Sequence, residues 1–156
     1  MEDETFRIVD GGLDDPRVIE LLVRHMETNI AVTPPGSVHA FDVARLKHPD
    51  VSFWSAWRGD TLVGVGALKT LDPAHGEVKS MHTLSEARRS GIGRAMLTHI
   101  IAVARSRGMK RLSLETGSFE FFRPAVALYE RFGFVECEPF ADYEPDPNST
   151  FMTLEL

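Results

Sequence analysis

The chain has 156 residues, of which 43% are hydrophobic and 26% are charged, as in an ordinary globular protein. Its net charge of −6 argues against nucleic acid as the main partner, and no apolar run approaches the roughly 18 residues that a membrane span requires. The single cysteine, Cys137, excludes an internal disulfide framework and is consistent with a reducing compartment. Because the acidic N-terminus also lacks the apolar segment of a signal peptide, we expect one cytoplasmic domain over residues 1–156 with no membrane partner.

Apolar periodicity and chain breakers predict strands and helices along the whole chain. Strands are predicted over residues 5–10, 51–58, 61–70, 77–83, 111–115, 134–138 and 150–156. Helices are predicted over residues 16–30, 38–46, 92–107 and 124–132. Asp15 is a favourable N-cap for the first helix, and Pro16 suits its first position. One mixed sheet with helices on both faces satisfies this order of elements, which indicates the α/β class.

The second and third predicted strands form a hairpin whose strands contain three aromatic residues and two glycines. Alternation along the first of these strands places Phe53 and Trp57 on one face of the sheet and Trp54 on the other. Gly64 and Gly66 interrupt the second strand and indicate a bulge or a close contact with another element.

The turn before the third predicted helix, residues 88–93, has the composition Arg-Arg-Ser-Gly-Ile-Gly. The helix that follows offers the free N–H groups of its first turn and the positive end of its dipole, and both favour an anion. Gly91 and Gly93 allow the backbone to approach a ligand closely. The side chains that can form charge-assisted hydrogen bonds with phosphate are Arg88, Arg89 and Arg94. The segment therefore predicts a pyrophosphate site.

Basic residues are concentrated around this turn. Residues 88–111 carry seven of the 17 Lys and Arg side chains and none of the 23 acidic ones. The stretch from Arg105 to Arg111 is explained by the preference of cations for a helix C-terminus. Arginines at a helix N-terminus are unfavourable without an anion, so they support a polyanionic small ligand.

Two segments resemble one known family. The dinucleotide fingerprint would need a glycine at Met96, and the P-loop would need Gly-Lys-Ser/Thr. The pattern Arg-x-x-Gly-x-Gly over residues 88–93 instead resembles the acetyl-CoA pyrophosphate loop of the GNAT superfamily of N-acetyltransferases. Residues 128–134, Leu-Tyr-Glu-Arg-Phe-Gly-Phe, resemble the C-terminal helix signature of the same family. The resemblance is to small bacterial members, covers nearly the whole chain and implies a mixed, mostly antiparallel sheet with helices on both faces.

The resemblance also implies a site. The backbone of Met81, His82 and Thr83 would bond the pantetheine arm of acetyl-CoA, and one of these N–H groups would polarise the thioester carbonyl. Glu77 lies 14 positions before Gly91, where some members carry a catalytic glutamate. Tyr129 matches the tyrosine that often protonates the departing thiolate. The pyrophosphate would be held by Arg88, Arg89, Ser90, Gly91, Ile92, Gly93 and Arg94.

These residues imply acetyl transfer by direct attack. An amine is nucleophilic only when neutral, and a lysine-like amine has a pKa of about 10, so a general base must take its proton. The amine then attacks the thioester, and an acid assists the leaving thiolate. The leading interpretation is an acetyl-CoA-dependent N-acetyltransferase that acts on the primary amine of a small metabolite or amino acid.

Alternatives remain open for individual residues. Glu115 in the neighbouring strand is a rival base, and His82 is a weaker one. Tyr129 and Glu77 could instead be a core aromatic residue and a solvated carboxylate. Phe122 stands where many family members have an asparagine that touches the cofactor, which indicates that the aromatic segment here shapes the site differently.

Alternatives also remain open for the function. The acceptor could be a protein or peptide, or the chain could be a non-catalytic acyl-CoA sensor, while a nucleotide-binding module is disfavoured by the missing third glycine. Residues 142–149 contain two prolines and three acidic residues and predict a solvated loop. The histidines show no metal-ligand spacing, so no metal is predicted. Neither the acyl chain nor the oligomeric state follows from the sequence, and a homodimer is left open.

Overall fold

The computed structural model describes residues 7–32, 46–83, 91–118, 122–141 and 143–156. The strands are β1 (Arg7–Asp10), β2 (Val51–Arg58), β3 (Thr61–Asp72), β4 (His75–Thr83), β5 (Arg111–Gly117), β6 (Val135–Glu136) and β7 (Ser149–Glu155). The helices are α1 (Pro16–Val32), α2 (Ile92–Ser106) and α3 (Arg123–Arg131). The predicted helix at 38–46 lies outside the described residues except for Leu46, which is helical.

The predicted elements within the described ranges are confirmed, with some shifted ends. The largest difference is the strand predicted over residues 134–138, which is only Val135–Glu136. Gly133 adopts a φ of 99° after α3, and the chain then turns Phe134 into the core. Pro139 has no N–H to continue a ladder, so β6 remains short.

The strands form one seven-stranded sheet in the order β1-β2-β3-β4-β5-β7-β6. All neighbouring pairs are antiparallel except β4 and β5, which are parallel. The expected mixed, mostly antiparallel sheet is therefore confirmed. The β4–β5 pairing joins His75 to Arg111 and ends where Glu77 faces Ser113, although both strands continue beyond this point. We call the resulting gap between the two strands, from Glu77 and Ser113 onward, the cleft.

Helices pack on both faces of the sheet. On one face, α1 contributes Val18 and Leu22 to a core that also contains Phe53 and Trp57. On the other face, α2 and α3 pack in a second core together with Trp54. The predicted division of the β2 aromatic residues between the two faces is therefore confirmed.

Gly66 brings α2 close to the sheet. A Cβ atom at this position would lie 2.7 Å from Cγ of Met96, so only glycine fits against the helix. The β3–β4 register also shifts here, because Ser80 and Met81 of β4 together face Gly66. Both the close contact and the bulge that the glycine indicated are thus present.

Candidate active site

The β4 bulge reverses the alternation of side chains along the wall of the cleft. Met81 packs into the core beneath α2, whereas His82 pairs with Val65, whose side chain belongs to the α1-side core. His82 therefore points away from the α2 face. Because a bulge also reorients the local peptide groups, the backbone of Met81 and its neighbours lies at an irregular point of the cleft wall. Only the backbone of Thr83 is described.

Glu77 lies at the apex of the cleft, because it is the last residue of β4 that pairs with β5. Only 3% of the residue is exposed, so the alternative of a solvated carboxylate is wrong. Its Oε2 atom accepts a hydrogen bond of 2.8 Å from the Tyr143 hydroxyl and one of 3.3 Å from Nζ of Lys79. Among the residues that the structure describes, none donates to Oε1. Within the described part of the chain, one carboxylate oxygen is thus held and the other has no donor.

Tyr143 belongs to an aromatic cluster, defined as Phe140, Tyr143 and Phe151, that packs beside Glu77. The Tyr143 ring centroid lies 5.2 Å from that of Phe140 and 5.5 Å from that of Phe151. Burial, and then the charge of the Glu77 carboxylate, raise the pKa of the Tyr143 hydroxyl above its ordinary range. The hydroxyl therefore remains a hydrogen-bond donor at neutral and mildly alkaline pH.

The sequence analysis missed Tyr143. The predicted loop is confirmed over residues 143–148, whereas Ser149 already belongs to β7. Glu144 is exposed as expected, but Tyr143 packs onto the sheet. The available signal was a single aromatic residue among acidic residues and prolines, in a chain with only two tyrosines. Such a residue seldom remains solvated without a partner for its ring.

A buried polar network closes the apex of the cleft and links three strands. His75 Nε2 lies 2.7 Å from Oγ of Ser113, and this atom lies 3.0 Å from Oγ1 of Thr153. Arg111 donates to the same threonine oxygen over 2.9 Å. Burial lowers the pKa of His75, so its imidazole is neutral at neutral pH and acts as a cross-strand link.

Tyr129 lies on the opposite face of the sheet from Glu77. It is 7% exposed within the core beneath α2, with its ring centroid 5.7 Å from that of Phe134. Burial raises the pKa of its hydroxyl, so the phenol is protonated at neutral pH. Glu77 and Tyr129, the two predicted catalytic residues, are therefore not in contact. Both could act on the same substrate only if that substrate lay in the cleft.

The N-terminus of α2 is arranged to accept an anion. Gly91 is its N-cap with a φ of 89°, no side chain caps the first turn, and that turn contains no acidic residue. Ile92 is buried in the core and anchors the turn, so only its backbone could reach a ligand, whereas Arg94 is exposed. As far as the described residues show, the N–H groups of this turn are thus left for another partner. Arg88, Arg89 and Ser90 lie outside the described residues.

Phe122 stands immediately before α3 and packs against the end of β5. A Cβ atom at Gly117 would collide with the Phe122 ring, so the glycine is required for this contact. Phe122, at the position where the resemblance implies an asparagine in many members, thus packs against the end of β5.

Two general features of the described residues bear on the class of protein. They contain no group of three or more His, Cys, Asp or Glu side chains that could hold a metal ion. None of the helices within them is both long and apolar enough to cross a membrane.

Comparison with known proteins identifies the family. The sequence model of the Acetyltransferase (GNAT) family matches residues 18–134. The uncharacterized N-acetyltransferase YsnE of Bacillus subtilis (strain 168) is 52% identical over 140 residues, which cover 90% of this chain and 93% of that protein. The uncharacterized N-acetyltransferase YedL of Escherichia coli (strain K12) is 46% identical over 151 residues, which cover 97% of this chain and 95% of that protein.

A solved structure shows the same fold. It is a GNAT family acetyltransferase from Elizabethkingia anophelis with acetyl-CoA bound, which superimposes with a TM-score of 0.72 at 18% identity and covers 99% of this chain and 100% of that one. The family match and the two relatives establish that the chain belongs to the GNAT family of acetyltransferases.

Proposed function

We propose that this acetyltransferase moves the acetyl group of acetyl-CoA to the primary amine of a small metabolite or amino acid. The observation that carries the proposal is the buried carboxylate of Glu77 at the apex of the cleft, where the described donors hold one oxygen and leave the other open. A carboxylate in this position can take the proton of an amine that enters beside it.

The residues that would carry out the reaction lie on both faces of the sheet. Glu77 takes a proton from the amine, and the amine nitrogen then forms a bond to the acetyl carbon. The backbone at the β4 bulge, near Met81, stabilises the oxygen of the tetrahedral intermediate. The carbon–sulfur bond breaks, and Tyr129 on the other face gives a proton to the departing thiolate. The backbone at Gly91 binds the pyrophosphate.

Two observations support a small acceptor. The aromatic cluster and the loop that carries Tyr143 pack on the face of the sheet on which Glu77 lies, and only 3% of Glu77 is exposed, which favours a small acceptor. An "IAA acetyltransferase" of Azospirillum brasilense is 42% identical over 124 residues, which cover 79% of this chain and 80% of that protein.

The direct test is a free-thiol release assay with acetyl-CoA and a panel of amines. The panel should contain amino acids, aliphatic and aromatic amines, polyamines, and peptides with a free N-terminus or lysine. Faster thiol release with a small amine than with any peptide is expected. Faster release with peptides would overturn the acceptor class, and binding without release for every amine would favour an acyl-CoA sensor.

Acetyl-CoA should stabilise the folded protein. A ligand present at 100 times its dissociation constant adds roughly 2.7 kcal/mol to the free energy of unfolding. Nicotinamide dinucleotides should give no comparable gain, because the third glycine of their fingerprint is replaced by Met96. Chemical denaturation with and without each ligand measures the effect, and equal protection by both would contradict the assignment.

Gly91→Ala should weaken acetyl-CoA binding specifically, with Gly108→Ala as its matched control. The two glycines flank the ends of α2 with φ angles of 89° and 81°, and a Cβ atom added at either one would meet no described residue within 4 Å. Both substitutions should therefore cost a similar amount of stability, about 1 kcal/mol. Only the methyl group at Gly91 would obstruct a phosphate. Equal acetyl-CoA affinities of the two variants in calorimetric titrations would remove this turn from the site.

A further inference from the structure

We propose that Tyr143 is a positioning residue for the general base. Its hydroxyl holds Oε2 of Glu77 so that Oε1 is the atom that receives the proton of the acceptor amine. This inference rests on the proposed function of Glu77 and adds a residue from a loop more than sixty positions away.

The donors that the structure describes around the Glu77 carboxylate are all on one side of it. Both donors in the described part of the chain, Tyr143 and Lys79, reach the same oxygen, Oε2. The phenol forms the shorter bond, 2.8 Å against 3.3 Å. Hydrogen bonds to an ionised group are the strong ones, so the 2.8 Å bond fixes the rotation of the carboxylate. The second oxygen is then presented in a single direction.

Tyr143 is itself held in place by a backbone turn and by the neighbouring aromatic rings. A turn brings its backbone N–H to the Phe140 carbonyl over 3.0 Å, and Ala141 within this turn has a φ of 52°, which is uncommon for a residue other than glycine. The turn places the two rings in edge contact, and Phe151 of β7 packs against both. A donor fixed in this way is preorganised for its acceptor.

The loop beyond Tyr143 is also attached to the sheet. Ser118, next to the end of β5, donates through its backbone N–H to Asn148 over 3.1 Å and through its hydroxyl to Pro147 over 2.8 Å. The loop is thus tied to the β5 side of the cleft while Tyr143 reaches Glu77 on the β4 side.

The proton balance of the step is simple. The ammonium group of the acceptor gives one proton to Oε1, and the freed nitrogen lone pair forms the bond to the acetyl carbon. The thiolate leaves with the electrons of the carbon–sulfur bond and takes the Tyr129 proton, which the second nitrogen proton, released as the amide forms, replaces through solvent. The Tyr143 hydroxyl keeps its proton throughout, because Oε2 can accept its hydrogen bond in both the ionised and the protonated carboxyl. Tyr143 therefore acts only through Glu77 and has no other part in the reaction.

A kinetic double-mutant cycle tests the inference, using the wild-type protein, Tyr143→Phe, Glu77→Gln and the double variant with the best amine from the thiol-release panel. Tyr143→Phe keeps the ring and should lower kcat about tenfold, the loss expected for one charge-assisted hydrogen bond. Its dissociation constant for acetyl-CoA should be unchanged. In the Glu77→Gln background the same substitution should have almost no effect on kcat.

Phe140→Leu is the packing control, because it removes one ring contact of Tyr143 but keeps the phenol and the backbone hydrogen bond of the turn. It should change kcat less than Tyr143→Phe does. An equal loss of kcat in both variants, or additive losses for Tyr143→Phe and Glu77→Gln, would overturn the inference while leaving an active enzyme. A wild-type protein that acetylates no amine would overturn the proposed function and the inference with it.

Discussion

Replacing Glu77 with glutamine should lower kcat by about 10²–10⁴-fold near neutral pH, the usual contribution of a general base. Glutamine keeps the size of the side chain at a position that is almost fully buried, so the fold should be retained. The defect should shrink as the pH rises, because an acceptor amine with a pKa of about 10 becomes increasingly neutral without help. The measurement is kcat at saturating acetyl-CoA across the neutral to alkaline range.

Glu115→Gln is the matched control for this experiment. Glu115 lies in β5 across the cleft and pairs with Phe151 of β7, so it carries a second carboxylate beyond the apex. We expect a smaller defect, without the same dependence on pH. A Glu77→Gln defect that is equal at every pH would make its carboxylate structural, and a pH-dependent Glu115→Gln defect would transfer the base role to Glu115.

Replacing Tyr129 with phenylalanine should lower kcat by a comparable factor, about 10²–10⁴-fold, through loss of the proton donor to the thiolate. The ring would keep its packing against Phe134. Because burial raises the pKa of the Tyr129 hydroxyl, the wild-type donor is not lost as the pH increases through mildly alkaline values. The Tyr129→Phe defect should therefore persist over the range in which the Glu77→Gln defect shrinks.

Affinity and rate together decide the role of Tyr129. The dissociation constant for acetyl-CoA should change little, because the substitution removes one oxygen and leaves the helix face intact. Single-turnover kinetics should show the loss in the chemical step. If Tyr129→Phe retains full activity while chemistry limits the rate, Tyr129 is only a core aromatic residue and another donor must act on the thiolate.

Most of the fold could be predicted because it follows from local patterns. Alternation in β2 predicted which faces Phe53, Trp54 and Trp57 occupy, and the two cores confirm it. Gly66 indicated a close approach that α2 makes through Met96. The start of β4 was predicted two residues too late, because His75 and Gly76 are not typical strand residues and are held by pairing with β5.

The candidate site was only partly predictable, for a physical reason. Glu77, Tyr129 and the turn at Gly91 were suggested by short motifs with fixed spacing along the chain. Tyr143 has no such spacing, because its contact with Glu77 depends on the path of a loop between distant strands. The buried link between His75 and Ser113 is likewise invisible in the sequence, since each residue alone resembles an ordinary polar position.

The divergence of β4 from β5 gives the sheet two edges in its interior. Beyond Glu77 and Ser113, β4 keeps only β3 as a neighbour and β5 keeps only β7 within the described residues. Exposed strand edges usually invite association with other chains, and proteins tend to cover or shorten them. Here the two strand edges lie between the face of the sheet that α2 covers and the face that carries the aromatic cluster. An extended ligand with amide groups can form hydrogen bonds with these strand edges in place of a second protein strand. Acetyl-CoA bound in the cleft would then protect the protein against strand-mediated aggregation, in addition to supplying the acetyl group for the reaction.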